Sequence, residues 1–377
     1  GMVPTVFACA YIIFPRSRMA IITPLIGLVA TLAPTIGPTV GGYLTDALSW
    51  HWLFFLNVVP GIIVTIAALA LIDFDKPDFK LFETFDWIGL TFMALFLGAL
   101  EYVLEDGPRY DWFDDSTIAL MGVISAASAA IFFIRVLTTR NPIVDLKAFL
   151  DRNFAVGSIF SFVLGVGLYG LTYLYPVYLG EIRGYDALMI GKVMFVSGAS
   201  MFLAAPVAGR LATKFDPRIM LAAGFLIFAL SNWQLTGITT DWDFAQMFLP
   251  QILRGIGMMF AIVPITNLAL GTLPPERLKN ASGLYNLTRN LGGAVGLAGL
   301  NTVLDNRMDR HFARLHEAIT WSRQPVMEAL QGMTARMPGS DAHSMSLKQL
   351  FMQLHQQGMV MAFADLFLLL ALLVSVV

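Results

Sequence analysis

Ala33-Pro34-Thr35-Ile36-Gly37-Pro38-Thr39-Val40-Gly41-Gly42-Tyr43-Leu44 carries no charge and lies inside an uncharged run from Met19 to Thr45. A helix needs about 20 apolar residues to cross a bilayer core, so this run is long enough to span. Gly37, Gly41 and Gly42 recur at spacings of four and one, beside Pro34 and Pro38. Such residues give a kinked helix with one smooth face, on which another backbone can approach closely. Ordinary small-residue packing would use the same pattern.

Outward from this stretch, the whole chain has the same character. Of 377 residues, 57% are hydrophobic and 13% charged, with a mean hydropathy of +0.70. A soluble domain of this size covers its surface with roughly a quarter charged residues, so much of this surface faces lipid. The net charge of −2 argues against nucleic-acid binding, which needs a basic face. The single cysteine, Cys9, excludes an internal disulfide and a cysteine-rich metal site. The five histidines, His51, His311, His316, His343 and His355, show no His-Glu-x-x-His spacing, and no phosphate-binding Gly-x-x-x-x-Gly-Lys loop is present. The expectation is no metal, no cofactor and no enzyme.

Eleven segments read as spans: 1–14, 20–47, 52–72, 87–104, 116–137, 153–179, 187–211, 218–237, 244–272, 282–304 and 357–377. Alternate short loops hold thirteen Lys and Arg, from Arg16 to Lys279, against two, Arg109 and Arg183, in the other set. The first set is therefore cytoplasmic, and 305–356 falls outside. Two stretches repeat. Pro4 precedes the basic turn Pro15-Arg16-Ser17-Arg18 as Pro264 precedes Pro275-Glu276-Arg277-Leu278-Lys279, and a Gly-rich span follows each turn. Repeated bundles with a site between them are a common transporter design.

The Ala33–Leu44 stretch resembles the antiporter motif of the major facilitator superfamily, and Trp50-His51-Trp52-Leu53-Phe54-Phe55-Leu56-Asn57 resembles the turn that follows it. Leu273-Pro274-Pro275-Glu276-Arg277, Asn280-Ala281-Ser282-Gly283 and Asn286-Leu287-Thr288-Arg289-Asn290-Leu291-Gly292-Gly293 are similar to late spans of the EmrB/QacA drug:proton antiporters. Phe85-Asp86-Trp87-Ile88-Gly89 looks like the entry to that family's extra span pair, and Arg254-Gly255-Ile256-Gly257 like its Arg-x-x-Gly-x-Gly motif in the later half. Gly209-Arg210-Leu211-Ala212-Thr213-Lys214 echoes a cytoplasmic gating motif, but with Thr213 where an aspartate is preferred. The resemblance implies an all-α membrane protein of the facilitator fold, with about eleven of fourteen helices present in an N-terminally truncated fragment. Residues 1–72 would be the remainder of the N-terminal bundle, 73–152 a two-span insert, and 153–377 the C-terminal bundle with its long periplasmic loop. A fragment of this kind is expected not to transport alone.

Arg254, Arg289 and Asp365 lie inside apolar spans. Counted from the span ends, all three sit near the bilayer midplane, where a charge is costly unless paired or wet. They are candidates for the proton or substrate pathway, with Asn286 beside Arg289, and either arginine could be the partner of Asp365. A structural ion pair would look the same. Glu101 and Lys192 sit nearer span ends, where snorkelling accounts for them. In the outer segment, Leu304, Met308, Phe312, Leu315 and Ile319, then Leu347, Leu350, Phe351 and Leu354, recur at helical spacing. They read as amphipathic helices on the membrane or against a partner.

The expected function is multidrug export by proton antiport through alternating access, in a bacterial inner membrane. The ligands would be hydrophobic or cationic small molecules, with protons as the coupling ion and lipids around the spans. The resemblance also implies a periplasmic adaptor protein and an outer-membrane channel as partners. A facilitator-fold exporter of a lipid, siderophore or metabolite is the alternative. A membrane-embedded enzyme is a more distant one, for which no catalytic constellation is visible.

Overall fold

The computed structural model describes residues 36–71, 85–139, 142–212, 214–319, 323–336 and 341–376. The expected span 1–14, the first part of 20–47, Pro34, Thr213 and the basic residues Arg16 and Arg18 lie outside them. No strand occurs among the described residues. The helices are α1 (36–47), α2 (Trp52–Leu71), α3 (Trp87–Asp106), α4 (Ser116–Thr138), α5 (Arg152–Glu181), α6 (Ala187–Ala212), α7 (Pro217–Gln234), α8 (Phe244–Leu270), α9 (Pro275–Ala318), α10 (Gln324–Ala335) and α11 (Ala342–Val376).

Eight of these are long and apolar enough to cross a bilayer: α2 to α8, and α11. The expected span in α9 is too polar to be among them, because Asn286, Thr288, Arg289 and Asn290 interrupt it. It is nevertheless flanked by α5 and α11, so protein rather than lipid covers much of it.

The helices α3 and α4 form a hairpin. Asp86 caps α3 by accepting from the Gly89 amide at 2.9 Å and pairs with the Arg135 Nε at 3.1 Å. Burial pushes the Asp86 carboxyl up, but the Gly89 amide and the Arg135 guanidinium outweigh it, leaving the group below the usual carboxylate value. At the outer turn, Asp115 accepts from the Thr117 and Ile118 amides and caps α4. Asp111 and Trp112 there take positive φ values of 53° and 57°, uncommon for residues other than glycine. The turn is held to the next bundle by Trp112, whose Nε1 donates to Thr302 Oγ1 at 3.1 Å.

The C-terminal bundle is built around α5. Leu164, Leu171, Leu174, Tyr175 and Tyr178 of α5 are fully buried, together with Phe228 of α7 and Phe363 and Phe367 of α11. The Gly-rich span expected from the sequence lets α9 press onto α5: a Cβ at Gly292 would lie 2.2 Å from the Phe162 carbonyl oxygen. Helix α8 packs on α5, α6 and α7, and α11 on α7 and α9.

The segment 305–356 departs from the expected loop. Helix α9 continues through Asp305 to Ala318, α10 follows, and α11 starts at Ala342. With 44 and 35 residues at 1.5 Å each, α9 and α11 are roughly 66 and 52 Å long, against about 30 Å of bilayer core. The two apolar stripes, expected on the membrane or against a partner, close on each other. Phe312 meets Phe351 edge-on at 5.2 Å and His355 at 5.9 Å. On α10, Leu330 is buried, and the Thr334 and Ser346 hydroxyls lie 2.9 Å apart. The result is a helical extension standing on the spans.

Candidate functional site

Helix α5 serves as a ruler for depth. It is packed on most sides, and its exposed upper flank carries Tyr169 and Thr172. The Tyr169 hydroxyl donates to Asn290 Oδ1 of α9 at 3.0 Å. The Thr172 hydroxyl donates to the Leu168 carbonyl at 2.7 Å and accepts from Arg254 Nη2 of α8 at 3.0 Å.

Arg254 is 3% exposed and lies over the Tyr175 ring, 5.3 Å from its centroid. Its Nε and Nη1 have no hydrogen-bond partner among the described residues, and neither do Tyr175 Oη and Gln251 Oε1. Gln251 lies one turn away on α8 and faces α6, its amide 3.9 Å from Met194 Sδ. Arg254 makes no ion pair among the described residues.

Arg289 and Asn286 belong to one local arrangement. Arg289 Nη2 donates to Asn286 Oδ1 at 2.6 Å, and the Asn286 amide donates to the Ser282 carbonyl at 2.8 Å. The Arg289 backbone packs on Gly165, where a Cβ would come within 2.1 Å of its carbonyl oxygen.

Asp365 of α11 takes neither expected partner. Its Oδ2 meets His311 Nε2 at 2.9 Å and Arg307 Nη1 at 3.3 Å, both from α9. His311 is buried, and its Nδ1 has no partner among the described residues. Neighbouring rings fix the level of Asp365: Phe363 stands 5.7 Å from Tyr178 and Phe367 5.8 Å from Tyr175. Arg289, Arg254 and Asp365 therefore stand at Gly165, at Thr172 and between Tyr175 and Tyr178, steps of about 10 and 7 Å along α5. A common midplane depth is not found. Asp365 stands beside Arg307 and His311, beyond the point where the apolar run of α9 ends, so it lies nearer the outer end of the spans than its count from residue 357 implied.

The glycines of the antiporter motif divide. Among the described residues, Gly37 has nothing within 4 Å of an added Cβ, and Gly41 meets only Leu53 at 3.5 Å. Gly42 is the close contact: its Cβ would lie 2.3 Å from the Ala187 carbonyl oxygen of α6. The Pro38 carbonyl oxygen lies 2.5 Å from a Cβ placed on Gly191, and Thr39 Oγ1 donates to the Gly191 carbonyl at 3.1 Å. Sequence reading missed Gly191, His311, Arg307 and Thr172. Arg307 and His311 are four apart and share a helix face, a signal visible only once α9 is known to continue.

Outside the spans, the turn after α5 is tied to the start of α8. Arg183 Nη1 donates to the Thr240 carbonyl at 2.9 Å, and the Tyr185 hydroxyl donates to Asp243. That bond, the Phe244 amide and Arg183 hold the Asp243 carboxyl below its ordinary value. No cluster that could hold a metal ion occurs among the described residues.

The sequence model of the Major Facilitator Superfamily matches residues 1–297. The chain is 37% identical to the colistin resistance protein EmrB of Acinetobacter baumannii over 378 residues, all of this chain and 74% of the relative. It is 29% identical to the multidrug export protein EmrB of Escherichia coli K12 over 356 residues, 94% of this chain and 69% of the relative. A third relative, the probable multidrug resistance protein EmrY of Escherichia coli K12, is 31% identical over 307 residues, 81% of this chain and 60% of the relative. The family match and the match to the Acinetobacter relative both run through the two-span hairpin and the polar flank of α5. With its apolar helices and its bacterial relatives, the chain is a multi-pass protein of a bacterial inner membrane and belongs to the Major Facilitator Superfamily.

Proposed function

We propose that the protein is a secondary multidrug exporter that couples the outward movement of small molecules to inward movement of protons. The observation that carries this reading is the polar flank of α5, with Tyr169, Thr172, Arg254 and Asn290, on a bundle whose core is largely apolar. The relatives named as multidrug export and resistance proteins support it. In alternating access, two helical bundles rock about a central site. The approach of α1 to α6 at Gly42 and Gly191 is read as the outer seal between them. Asp365 is read as a proton-carrying residue. When ionised it holds Arg307 and His311; when protonated it loses its ion pair with Arg307, which loosens one tie between α9 and α11. Arg289 with Asn286 is read as a positioning pair that stiffens α9 beside α5.

Expression of the natural full chain in an efflux-deficient strain is expected to raise resistance to several structurally unrelated compounds. Collapse of the proton gradient is expected to abolish energised efflux of a fluorescent substrate. Efflux that persists without a proton gradient but requires ATP would exclude this reading.

The extension formed by α10 and the outer ends of α9 and α11 is read as the landing surface for a periplasmic adaptor, which would hand substrate to an outer-membrane channel. Glu328 and Gln331 are exposed on α10. Photo-crosslinking residues at these positions are expected to capture the adaptor in cells, whereas one at Leu120 on the exposed face of α4 captures none. Equal capture from all three positions would remove the assignment.

A further inference from the structure

We infer that Glu101 is a proton-carrying residue, through which the hairpin of α3 and α4 takes part in coupling. The inference rests on the exporter reading and adds a second carboxylate to Asp365. Glu101 lies inside α3, five residues before its end at Asp106, or about 7.5 Å along the helix. Snorkelling would carry its carboxylate toward that end. Helical side chains lean the other way, toward the helix start, which here is deeper into the span. Glu101 instead borders a cleft between α3 and α9, lined also by three leucines of α3, two of α9 and Asn290. The cleft measures about 60 Å³, room for a few water molecules.

Glu101 is exposed and makes no hydrogen bond or ion pair among the described residues. A fixed charge inside an apolar helix is costly unless paired or wet, and a carboxylate that takes up a proton sheds that cost. The charged groups around it are engaged elsewhere or of like sign. On α3, Glu105 and Asp106 follow about one turn on. Arg109, just past the end of α3, lies over the Tyr110 ring. On α4 no titratable residue stands between Ser116 and Ile134. On α9, Arg289 donates to Asn286. Asn290 joins the cleft to the transport flank: its Oδ1 accepts from the Tyr169 hydroxyl at 3.0 Å, which leaves its amide donors for the cleft. Ionised, Glu101 draws these donors, directly or through water; protonated, it draws them less. The proton arrives on a carboxylate oxygen from water and returns to water, so no other reactant is needed. Protonation of the hairpin is thereby felt at Asn290 and Tyr169.

The test labels the natural full chain in lipid nanodiscs with dicyclohexylcarbodiimide. A protonated carboxyl adds its O–H across the carbodiimide C=N bond, and the adduct rearranges to a stable N-acylurea that peptide mass spectrometry locates. Glu101 is expected to be labelled well above Glu105, to an extent that falls about tenfold per unit of pH as the group ionises. No adduct at Glu101, or one no greater than at Glu105, overturns the inference. Ethidium accumulation driven by an imposed pH gradient in proteoliposomes is the second readout. Glu101→Gln is expected to lose nearly all of it and Glu101→Asp to keep most. A packing role predicts the reverse order, because glutamine keeps the size of the side chain and aspartate does not; that order also overturns the inference. Labelling uses the unsubstituted protein, so it decides even where a variant fails to insert. It is also read without transport, so a failure of the exporter reading appears separately, as no ethidium accumulation by the wild-type protein.

Discussion

Asp365→Asn is expected to abolish substrate-dependent proton movement while the protein still inserts. Asparagine keeps the size of the side chain and its oxygen acceptor, so the contact with His311 Nε2, 2.9 Å in the native pair, can persist in part. The charge that holds Arg307 at 3.3 Å is removed. Losing a hydrogen bond to a charged group costs about 1.5–3 kcal/mol, and the partial exposure of Arg307 and Asp365 places this pair at the low end of that range. The stability effect is thus modest, whereas the effect on coupling is complete, because the carboxamide cannot carry a proton on and off. Proteoliposomes with a pH-sensitive dye inside report the difference. Substrate uptake that still drives proton movement at the wild-type rate would show that coupling resides elsewhere, and would leave Asp365 as a structural link between α9 and α11.

Gly191→Leu is expected to remove transport almost entirely, with little change in the amount of protein inserted. A Cβ there would sit 2.5 Å from the Pro38 carbonyl oxygen and 3.0 Å from Thr39 Cα. Both are backbone, so no side chain can swing away. Overpacking in a tight contact costs about 1–3 kcal/mol, and a shift of that size against one conformer changes its population by roughly 5- to 150-fold. Gly42→Leu meets the Ala187 carbonyl in the same way and is expected to behave alike. Gly37→Ala meets nothing among the described residues and is expected to retain most transport. Measured efflux in cells, with insertion checked by blotting, separates the three. Normal transport by Gly191→Leu would mean that this contact does not form in the working cycle.

The spans were legible because length and apolarity suffice to recognise a membrane helix. The antiporter-motif glycines were legible as a close-packing face, but not which of them makes the contact: helices apolar all round show no stripe from which rotation can be read. The ends of α9 and α11 were not legible either. Apolarity falls at Asp305-Asn306-Arg307, which marks the exit from lipid; the helix itself continues, because polar residues such as these can remain helical in water. That misplaced end hid His311 and Arg307, and with them the partners of Asp365. Thr172 was invisible because an exposed hydroxyl in a membrane helix has no sequence signature until its neighbour is known.

The unbroken run of α9 from Pro275 to Ala318 has a consequence for how the extension beyond the spans can evolve. A continuous helix has no swivel, so each residue added or lost turns everything beyond it by about 100° and moves it by about 1.5 Å. One residue removed between Gly299 and Asp305 would swing His311 and Phe312 off α11 while every residue of the bundle below stayed in place. Changes of seven, close to two full turns, restore the facing within about 20°. Length in this segment is therefore set by angle, and natural variation in it is constrained to steps that return the same face to α11.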